Sequence, residues 1–216
     1  MNAYQQGMQK SMSEANEVPH LYYHETINVS ELENLRQKLK KMKTKVTMMG
    51  LLTKTFSLAL NSHPKINSTY KPDKTEFQFE THESHNISIA IDSPGGLVAP
   101  NIKNVQALSI LEIQQKLEEL KILSLQNKLT SSELLNGTIC LSNIGTIGGR
   151  SACPLMLCPQ TCIVAIGRVV ETPVYINGNL FNQKHITLSY GCDHRVIDGA
   201  SVSRFSNEWK NIIENP

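Results

Sequence analysis

The sequence predicts an α/β fold in which helices and strands alternate without a regular βαβ repeat. Segments with apolar residues at helical spacing and segments with strand-like alternation both recur along the chain. In the second half, glycine-rich turns separate several short strands. With 216 residues and 40% hydrophobic composition, the chain is long enough to bury one sizeable core and leaves little room for a second domain.

The start of the chain is predicted to form a helix followed by a strand. Apolar residues at helical spacing indicate a polar-rich helix over 4–17. This helix is expected to end ahead of Pro19, because proline disfavours helical backbone in the residue before it. Alternating residues then predict a strand over 20–28.

Two further helices are expected after this strand. Ser30 and Glu33 have the spacing of a capping box, in which each side chain satisfies an otherwise unpaired amide at the helix start. This predicts a helix over 31–42. The apolar residues of 46–62 are too dense for a surface helix, so we expect that segment to form a buried central helix.

A β-hairpin is expected in the middle of the chain. Strand-like runs at 75–80 and 86–92 precede a third run at 97–102. The last two runs are joined by 93–96, and its composition of Ser, Pro, Gly and Gly suits a tight turn. The sequence therefore predicts that 86–92 pairs with 97–102.

The second half is predicted to contain two long helices and four strands. Ser109 and Glu112 repeat the capping-box spacing ahead of one apolar helical face, which predicts a helix to about residue 127. From residue 137 onward, glycine-rich turns alternate with strand-like runs. The predicted strands are 138–142, 162–170, 173–176 and 185–191, and the last helix covers 199–213.

Composition argues against several classes of protein. The formal net charge is +2 with acidic and basic residues intermixed, so no broad basic field is available for a nucleic-acid backbone. No segment approaches the roughly 20 apolar residues of a membrane helix. The first residues lack the charged and apolar regions of a signal peptide, so for an imported protein we expect the targeting segment to lie outside this sequence.

The cysteines and glycines argue against three kinds of site. Five cysteines, an odd number scattered through apolar segments, indicate reduced thiols in a reducing compartment rather than a disulfide framework. Cys153, Cys158 and Cys162 lack the paired short spacing of zinc ligands, so we expect no bound metal. The glycines of 145–149 fit neither a dinucleotide-binding motif nor a P-loop.

The strongest chemical signal is the histidine in the run Asp-His-Arg-Val-Ile-Asp-Gly at 193–199. His194 follows an apolar strand and precedes a helix, a position that exposes its ring at a strand end. A neutral imidazole accepts a proton from a thiol or a hydroxyl near physiological pH. Asp198, four residues later, can hold the geometry of the turn. Alone, such a His-x-x-x-Asp pair is more often an ordinary turn.

The longer run resembles the signature of the dihydrolipoamide acyltransferases, the catalytic cores of 2-oxo-acid dehydrogenase complexes. Chloramphenicol acetyltransferases share its His-x-x-x-Asp-Gly part. The resemblance covers nearly the whole chain, and the runs at 204–209 and 214–216 are most similar to the branched-chain members. Other matching segments are Lys10–Ala15, Pro19–His20, Leu35–Arg36, His85–Ile87, Gly96–Lys103 and Leu141–Gly145.

This resemblance implies a chloramphenicol-acetyltransferase-like two-layer α/β sandwich with a mixed sheet, formed by 1–216 as one catalytic domain. It also implies acyl transfer between dihydrolipoamide and coenzyme A, with His194 as the base that deprotonates the attacking thiol. By family position, Ser142 donates its hydroxyl to the oxyanion of the tetrahedral intermediate, a contact of about 2.7–4 kcal/mol on the scale of other oxyanion donors. By composition alone, Ser142 and Asn143 are a strand that ends in a turn.

The resemblance implies a binding site for coenzyme A and a lipoyl group that is carried on another domain as the second substrate. Alone, Arg36 is a solvated helix charge. Lys121 stands where close relatives have an uncharged polar residue, and the first helix lacks the arginine that pairs with the motif aspartate in many members. The implied coenzyme A contacts are Arg36, Thr47, Asp92, Lys121, Ser142 and Asn143.

The resemblance further implies a homotrimer with active sites between subunits, which builds a larger cubic assembly. Its expected partners are a lipoyl domain, a decarboxylase and dihydrolipoamide dehydrogenase, and its expected location is the mitochondrial matrix or a bacterial cytoplasm. We expect the lipoyl and subunit-binding domains of full-length members to be absent from 1–216, because no linker rich in Pro, Ala or charge is found. The chain is therefore expected to be a fragment, a natural short form or a divergent relative.

Two alternative functions are compatible with the same fold. One is a non-catalytic scaffold core, and the intact His194, Asp198 and Ser142 argue against it. The other is a free-standing, coenzyme A-dependent acetyltransferase of small molecules, which would use a hydroxyl acceptor. The sequences at 95–104 and 141–149 favour the lipoyl enzyme over that alternative.

Overall fold

The computed structural model describes residues 3–72 and 79–216. The helices are α1 (Ala3–Asn16), α2 (Ser30–Lys41), α3 (Met48–Leu60), α4 (Ile110–Leu125), α5 (Ser131–Leu134) and α6 (Gly199–Glu214). The strands are β1 (His20–Asn28), β2 (Ser68–Tyr70), β3 (Phe79–Thr81), β4 (Ile87–Ser93), β5 (Gly96–Val98), β6 (Asn101–Ile102), β7 (Ile139–Asn143), β8 (Cys162–Ile166), β9 (Val170–Ile176) and β10 (Asn179–Asp193). Within this described part, every helix is too short or too polar to cross a bilayer.

Among the described residues, eight strands form one mixed sheet in the order β1-β10-β8-β7-β4-β5, with β6 also on β4 and β9 also on β10. The pairs β4–β7 and β7–β8 are parallel, and the other pairs are antiparallel. β2 and β3 form a separate two-stranded sheet. The long strand β10 therefore bridges β1 on one side and β8 and β9 on the other, and its last residues carry the chain out of the sheet into α6.

The main core lies between one face of the sheet and the helices. In α3, Leu52 and Phe56 are fully buried, which confirms the predicted central helix. Phe56 packs edge-on against Trp209 of α6 with 4.7 Å between ring centroids. The Trp209 indole N–H is satisfied inside this core, because it donates to Thr55 Oγ1 at 3.0 Å. Apolar side chains along both helices thus hold α6, and the turn before it, against the sheet.

The second face of the sheet is covered by coil. Cys140 of β7 and Ile163 of β8 are buried beneath Met156 of the connection between those strands. The helices α2, α3, α4 and α6 pack on the main core as one layer and the mixed sheet forms the other, so the predicted α/β sandwich is confirmed. The rest of this second face includes the half-buried Ser142.

One of the two predicted capping boxes is wrong. Ser109 and Glu112 form theirs at the start of α4, with Ser109 N donating to Glu112 Oε2 at 2.7 Å. Ser30, by contrast, already belongs to α2, and its Oγ accepts a hydrogen bond from Lys184 N of β10. Glu33 is engaged by other side chains. A tertiary partner has therefore replaced the local cap, although the helix occupies the predicted segment.

Two predicted strands are longer in the structure, with 173–176 observed as Val170–Ile176 and 185–191 as Asn179–Asp193. Three others are interrupted or only partly described. The strand predicted over 162–170 breaks after β8, because Gly167 N still donates to Thr187 O in the β10 register but Arg168 N donates to Gly149 O, outside the sheet. The strand predicted over 97–102 is split between β5 and β6, which both pair with β4 and are separated by Pro100, a residue that cannot donate. Of the strand predicted over 75–80, residues up to 78 lie outside the described residues, and 79 and 80 belong to β3.

Candidate active site

His194 occupies the first position after β10, in the short connection that leads into α6. Its backbone N–H donates to Pro19 O at 2.9 Å, which ties the connection to the residue before β1. The amides of Val196 and Ile197 both donate to Asp193 O, at 3.0 and 2.8 Å. The turn is therefore anchored on both sides of the histidine, while the His194 side chain is exposed.

The tautomer of His194 follows from one hydrogen bond. Its Nδ1 lies 3.1 Å from the backbone oxygen of Ile197. Because a carbonyl oxygen only accepts, Nδ1 must carry the proton and donate it. In the neutral imidazole this leaves the lone pair on Nε2, at the exposed end of the ring. In this tautomer the exposed Nε2 of His194 is the ring nitrogen that can accept a proton.

An ion pair between the residues that flank His194 stiffens the same turn. The Asp193 carboxylate is buried, and it accepts from Arg195 Nε at 2.9 Å and from Arg195 Nη2 at 2.7 Å. The guanidinium also lies over the Tyr70 ring, 3.8 Å from its centroid. By accepting these hydrogen bonds, the Asp193 carboxylate raises the pKa of Arg195 above its usual value. Neither Asp193 nor Arg195 was predicted as a site residue from the sequence, although an acidic and a basic residue on either side of a histidine are a signal for such an ion pair.

Asp198 is placed as a helix cap. Its Oδ1 accepts from Ser201 N at 2.7 Å at the start of α6, and these bonds from Ser201 hold its pKa below the usual range. Within the described residues, its carboxylate makes no hydrogen bond to the His194 ring. In this chain Asp198 therefore fixes where α6 begins, which in turn fixes the length of the His194 turn.

Ser142 lies in β7, far from His194 of the same chain. It pairs with Ala165 of β8, which in turn pairs with Ser189 of β10. Two strand spacings of about 4.8 Å and four residues at about 3.4 Å each place the Cα atoms of Ser142 and Asp193 roughly 17 Å apart. Neither a serine nor a histidine side chain spans such a gap, so one chain does not bring Ser142 and His194 together.

Four of the six predicted coenzyme A contacts line a cavity of about 700 Å³. Its walls are the start of α3, the end of β4, one side of α4 and the loop after β7. Met48, Met49, Ile89 and Leu117 give it apolar surfaces. The predicted contacts that line it are Thr47, Asp92, Lys121 and Asn143. The remaining two, Ser142 and Arg36, are not among its described lining residues.

Arg36 is held on α2 by Glu33. Its Nε and Nη2 each donate to one oxygen of the Glu33 carboxylate at 2.7 Å. The Arg36 hydrogen bonds are the largest cause that lowers the pKa of Glu33, to about 2. Within this chain, Arg36 therefore forms an intrahelical ion pair with Glu33.

The chain matches one family of known proteins over its full length. The profile of the family "2-oxoacid dehydrogenases acyltransferase (catalytic domain)" matches residues 1–216. The mitochondrial lipoamide acyltransferase component of the branched-chain alpha-keto acid dehydrogenase complex of Arabidopsis thaliana is 39% identical over 221 residues, covering 100% of this chain and 45% of that protein. The dihydrolipoyllysine-residue acetyltransferase component of a Staphylococcus epidermidis pyruvate dehydrogenase complex is 33% identical over 203 residues, covering 92% and 46%. The chain spans about half the length of these curated relatives.

Solved structures agree with this match. The cubic core of the pyruvate dehydrogenase multienzyme complex superposes with a TM-score of 0.91 at 27% identity, covering 98% of this chain and 88% of that chain. A chloramphenicol acetyltransferase superposes with a TM-score of 0.57 at 12% identity, covering 95% and 94%. The second likeness concerns the fold alone, and it confirms the fold class expected from the sequence.

Proposed function

This chain belongs to the 2-oxoacid dehydrogenase acyltransferase family, and we propose that it transfers acyl groups between dihydrolipoamide and coenzyme A with His194 as the general base. The observation that carries this proposal is the hydrogen bond from His194 Nδ1 to Ile197 O, which leaves Nε2 free to accept a proton. Asp198 and the Asp193–Arg195 ion pair are positioning groups in this proposal, because they hold the turn and its exposed ring.

In the proposed reaction, His194 Nε2 accepts the proton of the attacking thiol, and the thiolate adds to the carbonyl carbon of the acyl thioester. The Ser142 hydroxyl donates to the oxygen that becomes negatively charged. When the carbonyl re-forms, the bond to the departing sulfur breaks and the imidazolium returns its proton to that sulfur. The acyl group has then changed carriers directly, without an acyl-enzyme.

The cavity suits coenzyme A in size and chemistry. Its volume of about 700 Å³ lies within the 300–1,000 Å³ typical of ligand pockets. Lys45 and Lys121 supply cations for phosphate groups. Lys45 also forms an ion pair with Glu118, with 3.6 Å between Nζ and Oε1. Thr47 and Asn143 supply polar contacts beside the apolar walls. We therefore assign coenzyme A to this cavity, with Thr47, Asp92, Lys121 and Asn143 as contacts, and Arg36 and Ser142 as contacts made across subunits.

The estimated separation of roughly 17 Å between Ser142 and the His194 turn favours a site shared between two copies. We propose a homotrimer in which His194 of one copy faces Ser142 of the next, within a cubic core like that of the pyruvate dehydrogenase complex. The proposed partners are a lipoyl domain, a decarboxylase and dihydrolipoamide dehydrogenase. Because the Arabidopsis relative is named as mitochondrial, we propose the mitochondrial matrix as the location.

The base assignment is tested by turnover. We expect His194→Ala and His194→Asn to lower the transacylation rate by about 10²–10⁴, the usual contribution of a general base. Circular dichroism and sedimentation would establish that fold and assembly are retained. Near-normal turnover in a folded variant would refute the base assignment. A wild-type protein that is inactive with every acyl thioester would favour the scaffold alternative.

The acyl chain and the acceptor are tested by comparing substrates. We propose a branched acyl chain, because 39% identity to the branched-chain relative exceeds 33% to the acetyltransferase. The expected result is a higher kcat/KM for isobutyryl-coenzyme A than for acetyl-coenzyme A, with free dihydrolipoamide as acceptor. A preference for acetyl would contradict the branched-chain proposal. Transfer to chloramphenicol but not to dihydrolipoamide would favour the free-standing acetyltransferase.

A further inference from the structure

The wall of the cavity contains a buried glutamine that the proposed mechanism does not use. Gln114 of α4 is 5% exposed. Its Oε1 accepts from both the backbone N and the Oγ1 of Thr47, at 2.9 and 2.8 Å, and its Nε2 donates to Glu118 Oε1 at 3.0 Å. A backbone amide only donates and an ionised carboxylate only accepts, so these partners fix which end of the Gln114 amide is oxygen.

The glutamine reaches Thr47 because Gly50 has no side chain. A Cβ at Gly50 would lie 2.9 Å from Gln114 Oε1, closer than real Cβ contacts allow. Thr47 is the N-cap of α3, and its Oγ1 accepts from Gly50 N at 3.2 Å. Gln114 therefore links the middle of α4 to the first turn of α3, and both helices form walls of the same cavity.

We propose that Gln114 is a positioning residue that makes Thr47 a pure hydrogen-bond acceptor toward the ligand, an inference that rests on the proposed binding of coenzyme A. A hydroxyl has one proton and two lone pairs. The Thr47 proton is donated to Gln114, and one lone pair accepts from Gly50, so one lone pair remains for the ligand. Thr47 then accepts from an N–H or O–H group and offers no donor to a phosphate or carbonyl oxygen.

This polarity excludes the phosphates of coenzyme A from Thr47, because at neutral pH they are acceptors. Donors are present on the pantetheine arm, as amide N–H groups and a hydroxyl, and on the adenosine, as an amino group and a ribose hydroxyl. The apolar Met48, Met49 and Leu117 line the same cavity and suit the methyl and methylene groups of the arm, so we assign the Thr47 wall to the pantetheine arm and the phosphates to the lysines. Because Thr47 would contact the carrier rather than the reacting thiol, loss of its orientation should weaken binding and spare the chemical step.

The test compares Gln114→Met with Gln115→Met, its exposed neighbour on the same helix. For Gln114→Met we expect KM for coenzyme A to rise about five- to tenfold, the scale of one or two neutral hydrogen bonds, while kcat stays within about twofold. Exchange of the Thr47 amide proton should accelerate by about tenfold, because its acceptor is gone. Gln115→Met should leave both measurements at their wild-type values.

Two further variants keep the proposal testable if Gln114→Met fails to fold. Gly50→Ala keeps Gln114 and suits a helix, but its Cβ displaces Oε1, so it should reproduce the rise in KM. Gln114→Glu combined with Glu118→Gln keeps the net charge and rebuilds the same hydrogen bonds with donor and acceptor exchanged between the two positions. This double variant should restore both KM and the protection of the Thr47 amide.

The two readouts separate the possible failures. A wild-type KM in both Gln114→Met and Gly50→Ala, or a fall in kcat with KM unchanged, would overturn the role of Gln114 in binding. Unchanged exchange of the Thr47 amide in those variants would overturn the positioning itself. If calorimetry finds no binding of coenzyme A to the wild-type protein, the proposed function fails, whereas the exchange measurement still reports whether Gln114 holds Thr47.

Discussion

Replacing Arg195 with methionine would leave the buried carboxylate of Asp193 without the guanidinium that pairs with it. In the wild-type chain, Asp193 accepts two side-chain hydrogen bonds from Arg195, at 2.9 and 2.7 Å, and a third from the Arg195 backbone N at 3.0 Å. Only the backbone bond survives in Arg195→Met. Methionine retains much of the apolar length that packs near Tyr70, so the change acts chiefly on the charge.

The expected cost follows from burial. Removing one partner of a buried ion pair typically costs about 3–5 kcal/mol, because the other charge stays behind without compensation. The Asp193 side chain is 2% exposed, but that of Arg195 is 35% exposed, so solvent already weakens the pair. We therefore expect Arg195→Met to lower the free energy of unfolding by about 2–3 kcal/mol, below the fully buried case.

Urea unfolding at fixed protein concentration would measure this cost, because assembly makes apparent stability depend on concentration. Arg168→Met, which replaces an exposed arginine, is the matched control and should change stability by less than about 0.5 kcal/mol. Adding Asp193→Asn to Arg195→Met should recover at least about 1 kcal/mol, because the unpaired charge is then gone. Equal stabilities for Arg195→Met and Arg168→Met would show that the Asp193–Arg195 pair does not stabilise the fold.

Two further predictions concern the acid range and one close backbone contact. The hydrogen bonds from Arg36 lower the pKa of Glu33 from 4.5 to about 2, so their stabilisation is complete above the unfolded pKa and is lost as the pH falls toward 2. At pH 6 we expect Arg36→Gln to have a free energy of unfolding about 1 kcal/mol below that of the wild type, and we expect this difference to shrink below pH 4. A difference that does not change with pH in urea titrations would contradict this. A Cβ at Gly167 would lie 2.0 Å from Arg150 O, so Gly167→Ala should lose about 3 kcal/mol in the same assay, and Gly148→Ala, with open space around it, should not.

The sequence predicted correctly those elements whose structure is determined by residues close to them in the chain. The Ser109 capping box formed as expected because both partners are three residues apart and exposed to solvent. Ser30, at the equivalent position, instead accepts a hydrogen bond from Lys184 N. This partner is 154 residues away, and no local sequence pattern reveals it. The break after β8 has the same origin. The backbone of Gly149 and Arg150 approaches Gly167 and Arg168 at this point, and that approach exists only in the folded chain.

Some features of the candidate site were likewise predictable from local sequence, and others depend on the folded chain. The motif around His194 predicted its place after a strand and before a helix, because a strand end followed by an N-cap is local chemistry. Its separation from Ser142 depends on the register of three strands, which the sequence does not encode locally. Gln114 was missed, although a signal was present. It is a polar residue next to Ile113 in the apolar stripe of α4, and a buried amide in such a stripe needs partners.

We propose that the base and the oxyanion donor of each active site come from different copies of the chain. Homotrimers of His194→Ala and homotrimers of Ser142→Ala should each be defective at every site. Joint refolding of the two variants creates interfaces that pair an intact His194 of one parent with an intact Ser142 of the other. We expect transacylase activity to rise above the weighted average of the two parents. Activity at or below that average, in verified mixed trimers, would contradict a shared site.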